Sequence, residues 1–151
     1  MDVASPGRVF AQSRFEVQAD QPKVWDLLAM VIYQELPLEQ VDIVSLDRFR
    51  ARLVWRLGFI RFPLFVEGEL VDTLRPESYG CVLSVRRGPV RIGVRVTLKL
   101  RAVGKDLTEV SCTAVEDGKG SLLGPVLRRF QRDFARKTFD SIRGRIQRLC
   151  S

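Results

Sequence analysis

The sequence predicts an α+β domain in which a curved antiparallel sheet is closed by one long C-terminal helix. Two patterns and their order predict it. From Val41 to Glu116 apolar and polar residues alternate with period two, as strands do when one face is dry and the other wet. After the Gly118–Gly124 stretch the spacing changes to three and four, the period of a helix with one buried stripe. A sheet with one dry face needs a cover, and the C-terminal helix is the only element long enough to supply it.

The elements follow in order. Residues 8–18 alternate as a half-buried strand, with Val9, Ala11, Ser13, Phe15 and Val17 on one side and Phe10, Gln12, Arg14, Glu16 and Gln18 on the other. Asp20 can cap a helix, Pro22 suits its first turn, and Val24, Trp25, Leu27 and Leu28 supply an apolar stripe. That helix reads as short. Residues 31–40 favour no single element, and Pro37 bars a continuous helix. Short helices are therefore expected after the first strand.

About six antiparallel strands come next. Phe49, Ala51, Leu53 and Trp55 alternate with arginines, and Ile92, Val94, Val96, Leu98 and Leu100 alternate with Arg91, Arg95, Lys99 and Arg101. Gly58, Arg75-Pro76-Glu77, Gly88-Pro89 and Gly104-Lys105-Asp106 mark turns. Pro63 interrupts a good run and implies an edge position or a bulge. The last helix runs from about Gly120 to Cys150, with Leu123, Leu127, Phe130, Phe134, Phe139, Ile142, Ile146 and Leu149 in its stripe. Residues 8–150 form one domain behind a short tail, 1–7.

Composition excludes several functions. There is no histidine, which removes Ser-His-Asp and Cys-His hydrolases and His-ligated metals together. Cys81, Cys112 and Cys150 are odd in number and widely spaced, so neither a disulfide framework nor a cysteine zinc site is expected. Cys81 and Cys112 lie in strand-like runs, as buried free thiols do. No cofactor and no metal is called for. No apolar run reaches the ~20 residues that span a bilayer, and the first residues lack a secretion signal's basic and apolar regions. The expected location is the cytoplasm, with a peripheral place at the inner membrane face.

The net charge of +7 is carried by the last 33 residues, where nine basic groups face Asp133 and Asp140; the preceding 118 residues balance sixteen basic against sixteen acidic groups. A cationic amphipathic helix on a neutral body points to a docking surface for anionic lipid or an acidic protein. Arg128, Arg129, Arg132, Arg136, Arg143 and Arg148 are its candidate contacts. A merely solvated helix face is the plainer reading, though such faces usually mix signs. Nucleic acid is disfavoured, because the helix aromatics fall on the apolar stripe rather than among the cations.

The strand followed by Asp20-Gln21-Pro22-Lys23-Val24-Trp25-Asp26-Leu27-Leu28, with a sheet ending in a long helix, resembles the START-like or helix-grip (SRPBCC) superfamily over roughly residues 8–150. Within it, Leu57-Gly58-Phe59-Ile60, Gly68-Glu69-Leu70, Pro76-Glu77-Ser78-Tyr79, Leu107-Thr108-Glu109-Val110 and Gly120-Ser121-Leu122-Leu123-Gly124 resemble the carbon monoxide dehydrogenase G-subunit family. The superfamily resemblance implies a cavity between sheet and helix that holds an apolar small molecule or lipid. The narrower resemblance implies recruitment of a partner oxidoreductase of the molybdenum-hydroxylase type at the membrane face.

The expected cavity lining is Trp25, Phe49, Trp55, Phe62, Val94, Val96, Leu123, Leu127, Phe130 and Phe134; without the resemblance these would read as plain core. No catalytic residue is assigned. A small cyclase- or aromatase-like enzyme is the alternative, with Tyr33, Glu35, Glu69 and Tyr79 as the polar groups that could serve it. The leading reading is a non-enzymatic ligand-binding or adaptor module.

Overall fold

Asp20 starts the first helix as its side chain predicts: Oδ1 accepts from the Lys23 backbone N–H at 3.1 Å, satisfying one of the donors a helix start leaves open. The computed structural model describes residues 9–35, 39–45, 47–57, 59–87, 90–117 and 124–150. The elements are β1 (Val9–Val17), α1 (Gln21–Glu35), β2 (Glu39–Ser45), β3 (Arg48–Leu57), β4 (Ile60–Leu70), β5 (Ser78–Arg87), β6 (Val90–Gly104), β7 (Leu107–Asp117) and α2 (Gly124–Leu149). The seven strands form one antiparallel sheet in the order β1-β7-β6-β5-β4-β3-β2. With α2 as its long C-terminal cover, this is the expected helix-grip arrangement. The tail and the proposed Gly120 start of the last helix lie outside the described residues.

Two expectations are corrected. In place of short helices there is one α1 of fifteen residues. The stripe Val24, Leu28 and Val31 is wholly buried and continues at helical spacing, so tertiary packing overrides the weak propensity of Val31 and Ile32. The helix ends two residues before Pro37, where the residue preceding proline disfavours helical geometry. Phe10 is the second correction. Val9 pairs with Val115 but Ala11 pairs with Ala114. That one-residue bulge re-aims Phe10 toward the core although strict alternation puts it outside.

Pro63 sits in β4, an interior strand, opposite Val54 without a register shift. Among the described residues, pairing of β4 with β5 runs from Phe65. On the β5 side the continuing register would set the proline opposite Gly88, which lies outside the described residues.

Among the described residues two main apolar clusters share the dry face, with Ile92 and Val94 of β6 forming a small third one. The larger joins Phe15 and Val17 of β1, α1, Val110, Cys112 and Ala114 of β7, and Phe139, Ile142 and Ile146 of α2. The smaller holds Phe49, Ala51, Leu53, Leu64 and Val66 of β3 and β4, and Phe134 packs against it. Thr108 is fully buried but satisfied, its hydroxyl donating to the Ala19 carbonyl at 2.8 Å. Phe139→Ala should cost about 3–5 kcal/mol, read as a lowered denaturant midpoint. A change below about 1 kcal/mol would mean that α2 does not close the larger cluster through this ring.

Candidate functional site

α2 does not fill the hollow of the sheet. A cavity of about 400 Å³ remains where the larger cluster faces the smaller one. Phe49, Leu53, Val66, Cys81, Leu83, Val85, Val94, Val96 and Leu98 supply the sheet side; Gln131, Phe134, Ala135, Thr138, Phe139 and Ile142 supply the helix side. Trp25, Ala29 and Ile32 of α1 contribute from one end, and the bulged Phe10 completes the lining. The volume suits a drug-sized apolar molecule.

Glycine makes the floor possible. Gly68 pairs with Phe49 across β3 and β4, and a Cβ on Gly68 would overlap the Phe49 ring. The ring thus lies over the neighbouring strand and forms part of the wall. The α1 end is held by polar contacts. Trp25 Nε1–H donates to the Ser78 carbonyl (3.1 Å), and Gln21 Nε2–H donates to the Pro76 and Leu100 carbonyls (2.9 and 3.2 Å). The Trp25 and Tyr79 rings stack with centroids 4.4 Å apart and planes 11° apart. Arg75 grips Asp26 with two hydrogen bonds of 3.0 Å, and that contact holds the Asp26 carboxyl below its ordinary range.

Trp25, Phe49, Val94, Val96 and Phe134 line the cavity. The side chains of Trp55, Phe62, Leu123, Leu127 and Phe130 lie outside the described residues, as do those of Tyr33, Glu35 and Arg128. Of the polar candidates, Tyr79 is buried on the wall. Glu69 is not: it is partly exposed beside Arg48, 3.6 Å away, and lies outside the cavity lining. Among the described residues the lining carries no carboxylate. The apolar stripe does not single out Gln131, Ala135 and Thr138, because amide, methyl and hydroxyl side chains do not register in it. Their i, i+4, i+7 spacing is the signal that could have found them.

The thiols behave as packing groups. Burial pushes Cys112 up to about 12 and Cys81 up to about 11. Both are protonated at neutral pH, the state in which a thiol is least nucleophilic.

The helix cations Arg129, Arg132, Arg136, Arg143 and Arg148 are exposed. Arg129 stands 4.0 Å from Asp133. The neutral body, however, is an average over two unequal regions. Between Asp47 and Glu67 there are five arginines and no acid; between Glu77 and Asp106 there are seven basic residues and no acid. Strand register gathers them. Arg52, Phe65, Arg86 and Arg91 are successive partners across β3, β4, β5 and β6, and Arg56 pairs with Arg61 near the β3–β4 turn. Like charges directly opposite destabilise a sheet. At that turn Phe59 is 96% exposed and Ile60 is 46% exposed.

No protein-family model and no curated protein matches the sequence. Solved structures do match. A conserved protein from Geobacillus kaustophilus superposes with a TM-score of 0.69 at 15% identity, covering 89% of this chain and 93% of the other. A START superfamily protein from Mycobacterium smegmatis gives 0.61 at 10%, covering 93% and 99%. The ZhuI aromatase/cyclase from Streptomyces sp. R1128 gives 0.56 at 16%, covering 91% and 93%. The chain therefore has the START-like helix-grip fold.

Two outcomes follow from this site. Gly68→Ala should destabilise the fold by about 1–3 kcal/mol, since the added methyl must displace the Phe49 ring; an unchanged thermal midpoint would show that the ring is not held there. An unfolded thiol titrates near 9, so the buried pair supports the fold fully below that pH. As pH rises through 9 toward 11–12, the unfolded chain loses protons that the folded one keeps, and stability falls. Cys81→Ala with Cys112→Ala should flatten this alkaline slope; an identical slope in both proteins would assign it to other groups.

Proposed function

We propose that the protein binds an apolar small molecule or lipid between its sheet and α2, acting as a carrier, sensor or adaptor rather than as a catalyst. The cavity carries this reading. Apolar voids cost stability in proportion to their volume, so a hollow of about 400 Å³ walled by aromatic and aliphatic side chains is better explained by an occupant than by poor packing. A cyclase-like reaction would need an acid or base on that wall. Tyr79, stacked on Trp25, is the single tyrosine among the described lining residues.

Docking to an anionic membrane surface completes the proposal, and the charge segregation supports it. Asp117 pairs with Gly93, three residues from the start of β6, so β7 ends near the β5–β6 turn. Arg136 lies beside the first residues of β1, while Gln147 reaches Glu16 near its end. α2 therefore begins at the end of the molecule that carries the β3–β4 and β5–β6 turns. Arg129 and Arg132 stand on the early turns of α2, and Arg61, Arg86 and Arg91 lie near the strand ends at this same end of the sheet. Arg143 and Arg148 lie ~16–24 Å further along the axis from Arg132. Each cation near an anionic surface contributes ~1 kcal/mol, and an inserted aromatic adds apolar burial. An acidic surface of a molybdenum-hydroxylase-type oxidoreductase, which the carbon monoxide dehydrogenase resemblance suggests, is the alternative docking partner.

Mass spectrometry of a solvent extract from gently purified protein should reveal a stoichiometric apolar compound; saturation of the cavity by protein side chains in solution, seen as no uptake of any apolar probe, would remove the ligand-binding claim. Co-sedimentation with phosphatidylglycerol-containing vesicles should be abolished by Arg129→Glu, Arg132→Glu and Arg136→Glu together and weakened about tenfold by Phe59→Ser. Undiminished sedimentation of both variants would refute docking through this end.

A further inference from the structure

Gln131 faces the cavity from the second turn of α2. It is only 7% exposed, and its Nε2 is fully buried with no hydrogen-bond partner. The Nε atoms of Arg52 and Arg145 share that condition among the described residues, but neither arginine lines the cavity. An amide donor buried without an acceptor weakens the fold, and a leucine of similar size would fill the same stripe without that penalty.

Among the described residues a trapped water finds too few polar partners to resolve the deficit. A buried water needs two to four polar partners. Thr73 and Tyr79 belong to the end of the sheet that α1 closes, and Thr138 lies two helical turns along α2, ~10 Å away. Phe134 and Ala135, the next residues of the inward stripe, are apolar. The missing acceptor therefore has to arrive with the occupant. An ionised carboxylate is the wrong acceptor, because one amide cannot replace the hydration of a buried charge. A neutral carbonyl fits: it brings an acceptor and no charge.

Building on the ligand-binding reading above, we propose that the ligand is an apolar molecule bearing a neutral carbonyl, as in a ketone, ester or quinone, and that the Gln131 side-chain amide donates a hydrogen bond to it. The carbonyl then sits toward the first turns of α2, and the apolar body extends toward Trp25 and Tyr79. Gln131 recognises the ligand; no chemical step is assigned to it.

The test uses a matched pair of probes, 2-acetylnaphthalene and 2-ethylnaphthalene, which share a shape and differ in carbonyl against methylene. Binding is read by quenching of tryptophan fluorescence in the full chain. The wild-type protein should prefer the ketone about tenfold, the ratio expected for one hydrogen bond that also relieves a buried donor. Gln131→Leu should erase the preference, chiefly by tightening the hydrocarbon, and should leave the thermal midpoint of the unliganded protein unchanged or raised. Gln131→Met provides the same test should the branched side chain pack badly. Equal binding of both probes to the wild type, or an undiminished preference in the variants, would overturn the Gln131 assignment alone. A lowered midpoint in both variants would do the same, by showing that the amide bonds to protein. Binding of neither probe would remove the ligand-binding reading and this assignment with it.

Discussion

A single helix is too narrow to fill the hollow of a seven-stranded sheet, and the rest of the structure depends on that mismatch. Six strand spacings of about 4.8 Å make the sheet ~29 Å across, whereas a helix with its side chains is ~10–12 Å wide. α2 resolves the mismatch by lying to one side. Phe139, Ile142 and Ile146 press it onto α1, β1 and β7, and Gln147 Nε2–H donates to the Glu16 carbonyl. Toward β3 and β4 only Phe134 reaches across among the described residues. What would be a filled core in a flatter protein stays open here.

The two ends of that hollow are built differently. At the α1 end, buried apolar contact and directional hydrogen bonds coincide: Val24 and Leu28 anchor the helix, while Gln21 and Trp25 tie it to carbonyls around the β4–β5 connection. The Arg75–Asp26 pair lies in solvent, where screening leaves it a positioning role more than a stabilising one. The Gln21 and Trp25 donors are thus satisfied within the protein. Toward the other end, among the described residues, Gln131 carries a buried unpaired amide inside and exposed arginines lie outside. Unspent interaction capacity collects where something external can use it.

The sequence patterns revealed the sheet well because period two is a strong constraint: one slip would turn a whole strand's apolar set to water. Phe49, Ala51 and Leu53 obey it without exception. What escaped was whatever depends on a partner strand or on the sum of many contacts. The Phe10 bulge exists only against β7. The full length of α1 reflects burial of Val31 that no local propensity encodes. Trp25, Phe49 and Phe134 were legible as lining because large apolar side chains mark a dry face. Gln131 was invisible because a buried glutamine looks like a solvent-facing one until its surroundings are known. Net charge misled for a related reason. A sum of zero conceals two acid-free stretches that strand pairing brings side by side.

These features imply a direction. The ligand's polar end and the membrane's charged surface would be found at the same end of the molecule, because Gln131 and the first cations of α2 share its opening turns. A molecule with an apolar body and a carbonyl head, taken up tail first from a bilayer interface, would reach Trp25 and Tyr79 with its tail and stop with its head beside the unpaired amide. Entry from the α1 end would instead require breaking the Trp25–Ser78 and Gln21–Pro76 hydrogen bonds and separating a stacked pair of rings. On the proposed reading, loading from the cationic end would bring the exposed Phe59 and the arginines of the same end into play with the buried glutamine.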